Sequence, residues 1–209
     1  MTRKIQIEPD TYSKKDYDDE DRFIGYWHQI NNLVSLGDGS ILEIGIGNKF
    51  LSHYLSSRGR KIVTLDFDRR LDPMIEGTVL NLPFKEESFD IIACFEVLEH
   101  LPYQQFIPAL KELRRVSRRN VILSLPDASR IFIASLNIHG IMRKEFVVPF
   151  PSDLKKQEHK FDGEHHWEIG KKGYELKRII RDIQGSSLKI ARTYRSKKAP
   201  HFRFFTLEK

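Results

Sequence analysis

The stretch Ile41-Leu42-Glu43-Ile44-Gly45-Ile46-Gly47 decides how the rest of the chain is read. Ile41–Ile44 is a short apolar strand, and two glycines follow almost at once. Glycine allows the backbone to turn sharply and to pass close to a ligand. A helix N-terminus beside such a turn offers unpaired N–H groups to a polar or anionic group. The helix expected here is Phe50–Arg58, closed by Gly59. A Gly-x-Gly alone fits many nucleotide-binding folds. Two neighbours narrow it. Glu43 stands two residues before the first glycine, where dinucleotide dehydrogenases usually carry an apolar residue. Phe50 occupies the place where their fingerprint wants a third glycine, so a nicotinamide oxidoreductase is disfavoured.

Outward from this loop, short apolar runs alternate with helical stretches. Lys61–Leu65 reads as a strand ending in Asp66, Ile75–Val79 as a weak strand, and Phe89–Phe95 as a strongly apolar one. Tyr103–Arg115 has helical spacing, with Phe106, Leu110 and Leu113 inward, and Asn120–Leu125 is a strand stopped by Pro126. This alternation predicts βαβ units and a parallel sheet covered on both faces. Upstream, residues 1–21 form a polar, loosely ordered arm, and Asp21 is placed to cap a helix that starts near Phe23 and ends at Gly37-Asp38-Gly39. Downstream, residues 127–170 break the rhythm with Pro149, Pro151, three glycines and a histidine cluster, and read as an insertion. A helix over Lys172–Ile183 and an antiparallel pair, Leu188–Tyr194 and Phe202–Leu207, complete the pattern. The expected fold is a three-layer αβα sandwich, Rossmann-like, with a seven-stranded mostly parallel sheet and an antiparallel edge strand. The expected organisation is a single domain over 1–209, with an N-terminal arm and helix in 1–37.

Composition bounds the function. The 209 residues are 40% hydrophobic and 31% charged, as in a soluble globular chain. No apolar run nears the ~18 residues of a membrane helix, and no apolar stretch follows Met1-Thr2-Arg3-Lys4. Cys94 is the only cysteine, so no internal disulfide can form, and a cytoplasmic protein is expected. The net charge of +6 is uneven: residues 151–209 hold 15 Lys and Arg against 8 Asp and Glu. Such a basic third either keeps the surface solvated or attracts an anionic acceptor, a nucleic acid or a membrane surface.

Asp66 lies 21 residues beyond Gly45, close to the spacing at which a carboxylate accepts hydrogen bonds from ribose hydroxyls. Asp68 is the near alternative. Further motifs follow in order: Leu82-Pro83-Phe84, Ser88-Phe89-Asp90, and Glu96-Val97-Leu98-Glu99-His100-Leu101. Together with the loop, and over about Ile41 to Pro126, they resemble the type 11 methyltransferase domains of the class I, S-adenosylmethionine-dependent methyltransferases. The segment Phe161–Tyr174, with Glu164-His165-His166-Trp167-Glu168-Ile169-Gly170, is similar to a small subgroup of uncharacterised microbial members.

The resemblance implies roles by position. S-adenosylmethionine is the cofactor and S-adenosylhomocysteine its product. Glu43, Gly45 and Gly47 line the methionine end, Asp66 holds the ribose, and Phe67 lies against the adenine. Thr78 stands where the family often has an acidic residue, followed by Val79 and Leu80 at the adenine edge. Phe95 and Glu96 close the pocket near the sulfonium. Lys49 replaces a usual third glycine, and either narrows the room near the cofactor carboxylate or supplies a cation to it.

The expected reaction is methyl transfer to a small or medium acceptor, with residues 127–170 covering the acceptor pocket. His100 is the candidate base, since imidazole titrates near neutral pH; its other reading is a tie between a helix start and the sheet. Glu99 complements a helix dipole at that start. Tyr12, Tyr17, Tyr26 and Trp27 either cover the cofactor from the N-terminal side or belong to the core. Arg114, Arg115, Arg118 and Arg119 are read as one helix C-terminus. His159, His165 and His166, with Asp162, Glu164 and Glu168, match no recognised zinc spacing and lack thiolates, so no metal is expected. The rival readings are an RNA-modifying methyltransferase that uses the basic third and a non-catalytic cofactor-binding protein of the same fold.

Overall fold

A computed structural model describes residues 6–149 and 157–209 of the protein. Strand β1 (Ile41–Ile44) lies inside the sheet, parallel to β2 (Ile62–Asp66) on one side. Strand β3 (Ile75–Glu76) continues that side, and β4 (Phe89–Phe95) and β5 (Ser117–Pro126) extend the other, all in parallel. A separate hairpin, β6 (Ile131–Ile138) and β7 (Met142–Pro149), leaves the end of β5. The last two strands, β8 (Lys189–Arg195) and β9 (Phe202–Glu208), return to the sheet. Strand β9 runs antiparallel to β5, with β8 beyond it at the edge. The order across the seven strands is β3-β2-β1-β4-β5-β9-β8.

Side chains on successive strand residues point to opposite faces, and here both faces are buried. Leu42, Ile44, Ile92, Cys94, Val121 and Leu123 meet one helical layer, α3 (Phe106–Val116) and α4 (Leu176–Gly185), through Leu110, Leu113, Ile179 and Ile183. Ile41, Ile91, Ala93, Phe95 and Ile122 meet the other, α1 (Glu20–Ser35) and α2 (Phe50–Ser57), through Leu33, Leu51 and Leu55. The expected three-layer sandwich is the fold observed. No helix among the described residues is long and apolar enough to cross a membrane.

The differences from expectation have local causes. The cap of α1 is Asp19, whose Oδ1 accepts from the Arg22 N–H at 2.7 Å; Asp21 sits inside the first turn. Strand β3 stops at Glu76, because Gly77 breaks it and Thr78–Asn81 closes a turn through Asn81 N–H to Thr78 O. Helix α3 begins at Phe106, after a 3-10 turn over Tyr103–Gln105. Strand β5 begins at Ser117, so only Arg114 and Arg115 end the helix, while Arg118 and Arg119 lie on the strand facing Asp90. The 127–170 insertion contains the β6–β7 hairpin, which turns at Gly140 with φ 76°. Pro151, part of that reading, lies outside the described residues, as do residues 1–5.

The Leu82-Pro83-Phe84 motif is held by one ion pair. Arg115 donates to Leu82 O and Phe84 O while paired with Glu112, whose Oε2 accepts the Leu82 N–H. A second pair locks the end of β5. Asp127 is fully buried, its Oδ2 2.6 Å from Arg203 Nε and its Oδ1 3.6 Å from Arg195 Nη1, and Arg195 also donates to the carbonyls of Asp127 and Ser129. Removing one member of a buried pair leaves uncompensated charge, at a cost of about 3–5 kcal/mol. Asp127→Ala is therefore expected to lower stability by about that amount in urea unfolding; a loss under ~1 kcal/mol would show that the pair is not structural.

Candidate active site

Parallel strands bring their C-terminal ends to one edge, and a cavity of about 1220 Å³ opens there. Its floor is the β1 loop, Glu43 to Asn48. Asp66, Phe67 and Asp68 after β2, Gly77 to Val79 after β3, and Phe95 to Val97 after β4 form its sides. Gln6, Thr11, Tyr12, Tyr17, Arg22 and Tyr26 close it from the N-terminal side, and Phe161, Gly163–His166 and Glu168 from the opposite one. Of the residues expected in the site, Glu43, Gly45, Gly47, Asp66, Phe67, Thr78, Val79, Phe95, Glu96 and His100 all line the cavity. Leu80 does not; it packs against the core beneath the α3 layer. Trp27 is 60% exposed and lies outside the wall, unlike the three tyrosines.

The loop has its conformation for a steric reason. Gly45 has φ 78°, and a Cβ there would stand 2.2 Å from Val97 Cγ2. Lys49 has φ 63°, the left-handed geometry that explains why glycine is usual at its position. Its ammonium pairs with Asp72 at 2.9 Å on the outer surface, so it neither narrows the cavity nor supplies a cation to it. Asp66 ties the loop to β2. Its Oδ2 accepts from Ile46 N–H and its Oδ1 from Asp68 N–H, both at 2.9 Å. Asp68 is committed elsewhere, to the Arg70 guanidinium and backbone N–H. Thr78 Oγ1 accepts from Leu80 N–H, so its hydroxyl already braces the turn.

Buried acids distinguish this cavity. Burial pushes the Glu43 carboxyl up to about 8, against a hydrogen bond with Ser52, and its Oε2 has no partner. Glu96 follows β4 with φ 51°, a strained conformation for a residue with a side chain. Burial raises its carboxyl to about 7, and its Oε1 is unpartnered. Glu99, fully buried, has neither oxygen hydrogen-bonded and is pushed well up by burial and by Glu96.

The His-rich segment is pinned across this edge. Trp167 is fully buried among Tyr103, Phe106 and Tyr174, with Nε1–H donating to Leu101 O at 3.1 Å. His166 N–H donates to Glu99 O, Ile169 N–H to Pro126 O, and Ala128 N–H to Ile169 O. This places His165 beside His100, with ring centroids 5.1 Å apart. Burial holds His100 down to about 4, so its ring is neutral near pH 7. Sequence reasoning missed Glu99 as a site residue, because a helix-start acid is usually solvated. It also missed Gln6 and Arg22, for which the sequence carries no signal.

Comparisons with known proteins agree with this geometry. A family profile described as a methyltransferase domain matches residues 42–125. An uncharacterised protein of Methanocaldococcus jannaschii is 27% identical over 120 residues, 54% of this chain and 48% of that protein. A ubiquinone biosynthesis O-methyltransferase of Nitrosococcus oceani is 30% identical over 95 residues, 38% of this chain and 40% of that one. The matched segments thus span about half or less of these curated relatives. Among solved structures, the fold is similar to a 1,6-didemethyltoxoflavin-N1-methyltransferase of Burkholderia thailandensis with S-adenosylhomocysteine bound. The TM-score is 0.61 at 12% identity, covering 96% of this chain and 84% of that one. The segment that matches the methyltransferase-domain profile, residues 42–125, runs from β1 into β5 and carries the glycine loop and the cavity walls that follow β2, β3 and β4.

Proposed function

We propose that the protein transfers a methyl group from S-adenosylmethionine to a small or medium acceptor, releasing S-adenosylhomocysteine. The observation that carries this reading is the Gly45-Ile46-Gly47 loop, braced by Asp66 against β2 and flanked by an unpartnered buried Glu43 oxygen. That arrangement fits a cofactor bearing an ammonium, a sulfonium and a ribose. The bound cofactor supplies an activated methyl group on a good leaving group, so the protein's work is positioning and exclusion of water. Gly45 and Gly47 give the backbone room for close approach. Asp66 keeps acceptor capacity beyond its two backbone bonds, since a carboxylate offers about four lone-pair sites. Phe67, 46% exposed, presents a ring to an adenine, with Val79 at its edge. Phe95 and Glu96 close the wall after β4. Residues 161–168 cover the acceptor side, while none of the described side chains of the β6–β7 hairpin lines the cavity.

The acceptor is better read as neutral or cationic than as anionic. Among the described residues, Arg22 is the only Lys or Arg lining the cavity, against carboxylates from Glu43, Asp66, Asp68, Glu96, Glu164 and Glu168. Part of the charge of the basic C-terminal third is spent elsewhere: Arg195 and Arg203 on Asp127, Arg178 on Asp182 and the Tyr103 ring. A cytoplasmic setting belongs to the same proposal.

Two measurements test the cofactor reading. Asp66→Ala is expected to weaken S-adenosylhomocysteine binding by about 1.5–3 kcal/mol, a charged hydrogen bond's worth, while Asp68→Asn stays within ~0.5 kcal/mol. The reverse ranking in calorimetric titration would show that Asp68 is the ribose ligand. Glu43 gives a pH signature. Its carboxyl keeps its proton up to about pH 8 in the free protein, and a cationic group beside it favours the ionised form. Binding near pH 7 is therefore expected to release a proton, and affinity to rise as pH approaches 8. Calorimetry in buffers of different ionisation enthalpy reads the release directly, and Glu43→Gln should abolish it; equal release in that variant would exclude Glu43.

A further inference from the structure

We propose that Glu99, His100 and His165 form a divalent metal site on the acceptor side of the cavity, selecting an acceptor whose reacting hydroxyl stands beside a second oxygen donor. The acceptor part of this inference rests on the methyl-transfer reading above; the metal site does not. One ligand atom from each of the three residues lies within 4.8 Å of the others, within a small closure of the spacing around one ion.

Three observations point to a cation-binding role. First, Glu99 is fully buried with neither carboxylate oxygen hydrogen-bonded, and a buried carboxylate without a partner is costly unless it is paired or coordinates a metal. Second, both histidines have Nδ1 already engaged, His100 with Glu164 O and His165 with Glu168 Oε1, each at 3.0 Å. A carbonyl or carboxylate at Nδ1 makes that nitrogen the N–H donor and leaves the Nε2 lone pair free, which is how metal-binding imidazoles are oriented. Third, Glu96 adds another unpartnered buried oxygen, Oε1, on the same wall. Asp162, His165 and Glu168 form a second possible set, but it is already satisfied. Asp162 Oδ1 accepts two backbone N–H bonds, and Glu168 holds His165.

Two imidazoles with a carboxylate suit zinc or manganese. Three protein ligands leave coordination positions open, and His100 and His165 line the cavity while Glu99 stands behind them. An acceptor with adjacent oxygens can chelate through those positions. Coordination lowers the hydroxyl's pKa, and its proton passes to solvent water. The oxygen then bonds to the methyl carbon as the carbon–sulfur bond breaks, the electron pair staying on sulfur, to give a methyl ether and a thioether.

The test uses the full chain, stripped with a chelator and titrated calorimetrically with zinc chloride or manganese chloride without cofactor. One equivalent is expected to bind. Glu99→Gln and His165→Gln should each weaken it at least ~10-fold, the low end of what even a supporting contact contributes. Asp162→Asn should leave it unchanged. Circular dichroism melts check that each variant folds, and His165→Gln, at a part-exposed position, guards against Glu99→Gln failing to fold. No saturable binding, binding unaffected by both ligand variants, or loss in Asp162→Asn equal to that in Glu99→Gln would each overturn the site. S-adenosylhomocysteine titrated into the same samples separates the two proposals. Cofactor binding without metal binding sinks only the metal site, and metal binding without cofactor binding sinks only the methyl-transfer reading.

Discussion

Parallel strands cannot be joined by tight turns, so each must end at the same edge and hand the chain to a helix on the way back. In this protein β1, β2, β3 and β4 all release their loops at that one edge, and the loops have no further strand to satisfy their backbone groups. Side chains do that work instead. Asp66 is the clearest case, since one carboxylate accepts the N–H of Ile46 from one loop and of Asp68 from its own. The same carboxylate thereby sets the spacing between the glycine loop and the end of β2, the distance any ligand laid across both must match. Fold and site are one constraint here.

The second constraint comes from residues 164–169. A segment between two elements would ordinarily be a mobile cover, yet this one is built like core. Trp167 is buried to the last atom, and three backbone bonds to Glu99, Pro126 and Ala128 sew its neighbours to the sheet edge. Anchoring at Trp167 leaves His165 with little freedom, so its closeness to His100 is a property of the fold. It also seals Glu99 from water. A carboxylate sealed without donors has three ways out: to hold its proton, to find a cation, or to be replaced by an apolar residue. The sequence keeps glutamate, with glutamate again at 96 and histidine at 100 and 165.

Most of the sheet was legible because buried parallel strands are short, continuous and apolar: Ile41–Ile44 and Phe89–Phe95 have the boundaries their residues suggest. What escaped was whatever depends on partners far away in sequence. Asp19 rather than Asp21 caps α1, a choice made by one hydrogen bond. Lys49 was legible as a departure from glycine, but its direction was set by Asp72, which no local pattern links to it. The β6–β7 hairpin was hidden because much of it is exposed, Phe132 and Phe146 included, so no alternation of inner and outer residues marks it. In the cavity, the glycine-loop side could be read from a contiguous motif. The opposite side could not, because Glu99 and His165 stand 66 positions apart and meet only through the packing of Trp167.

The charge distribution follows from the same separation. Seen as a sequence, the basic third invites a polyanion. Seen as a structure, its Arg195 and Arg203 brace the β5 end and Arg178 the surface of α4, while the cavity is walled by carboxylates. A low-dielectric cavity with several acids and, among the described residues, one arginine attracts positive charge and repels phosphate. In the proposed reading, a cofactor carrying an ammonium and a sulfonium would meet the Glu43 side of that field, and a divalent cation would meet the Glu99 side. The acids that would be a liability for an anionic substrate would serve a neutral oxygen nucleophile, because a cation held among them would lower the charge cost of releasing the hydroxyl proton to water.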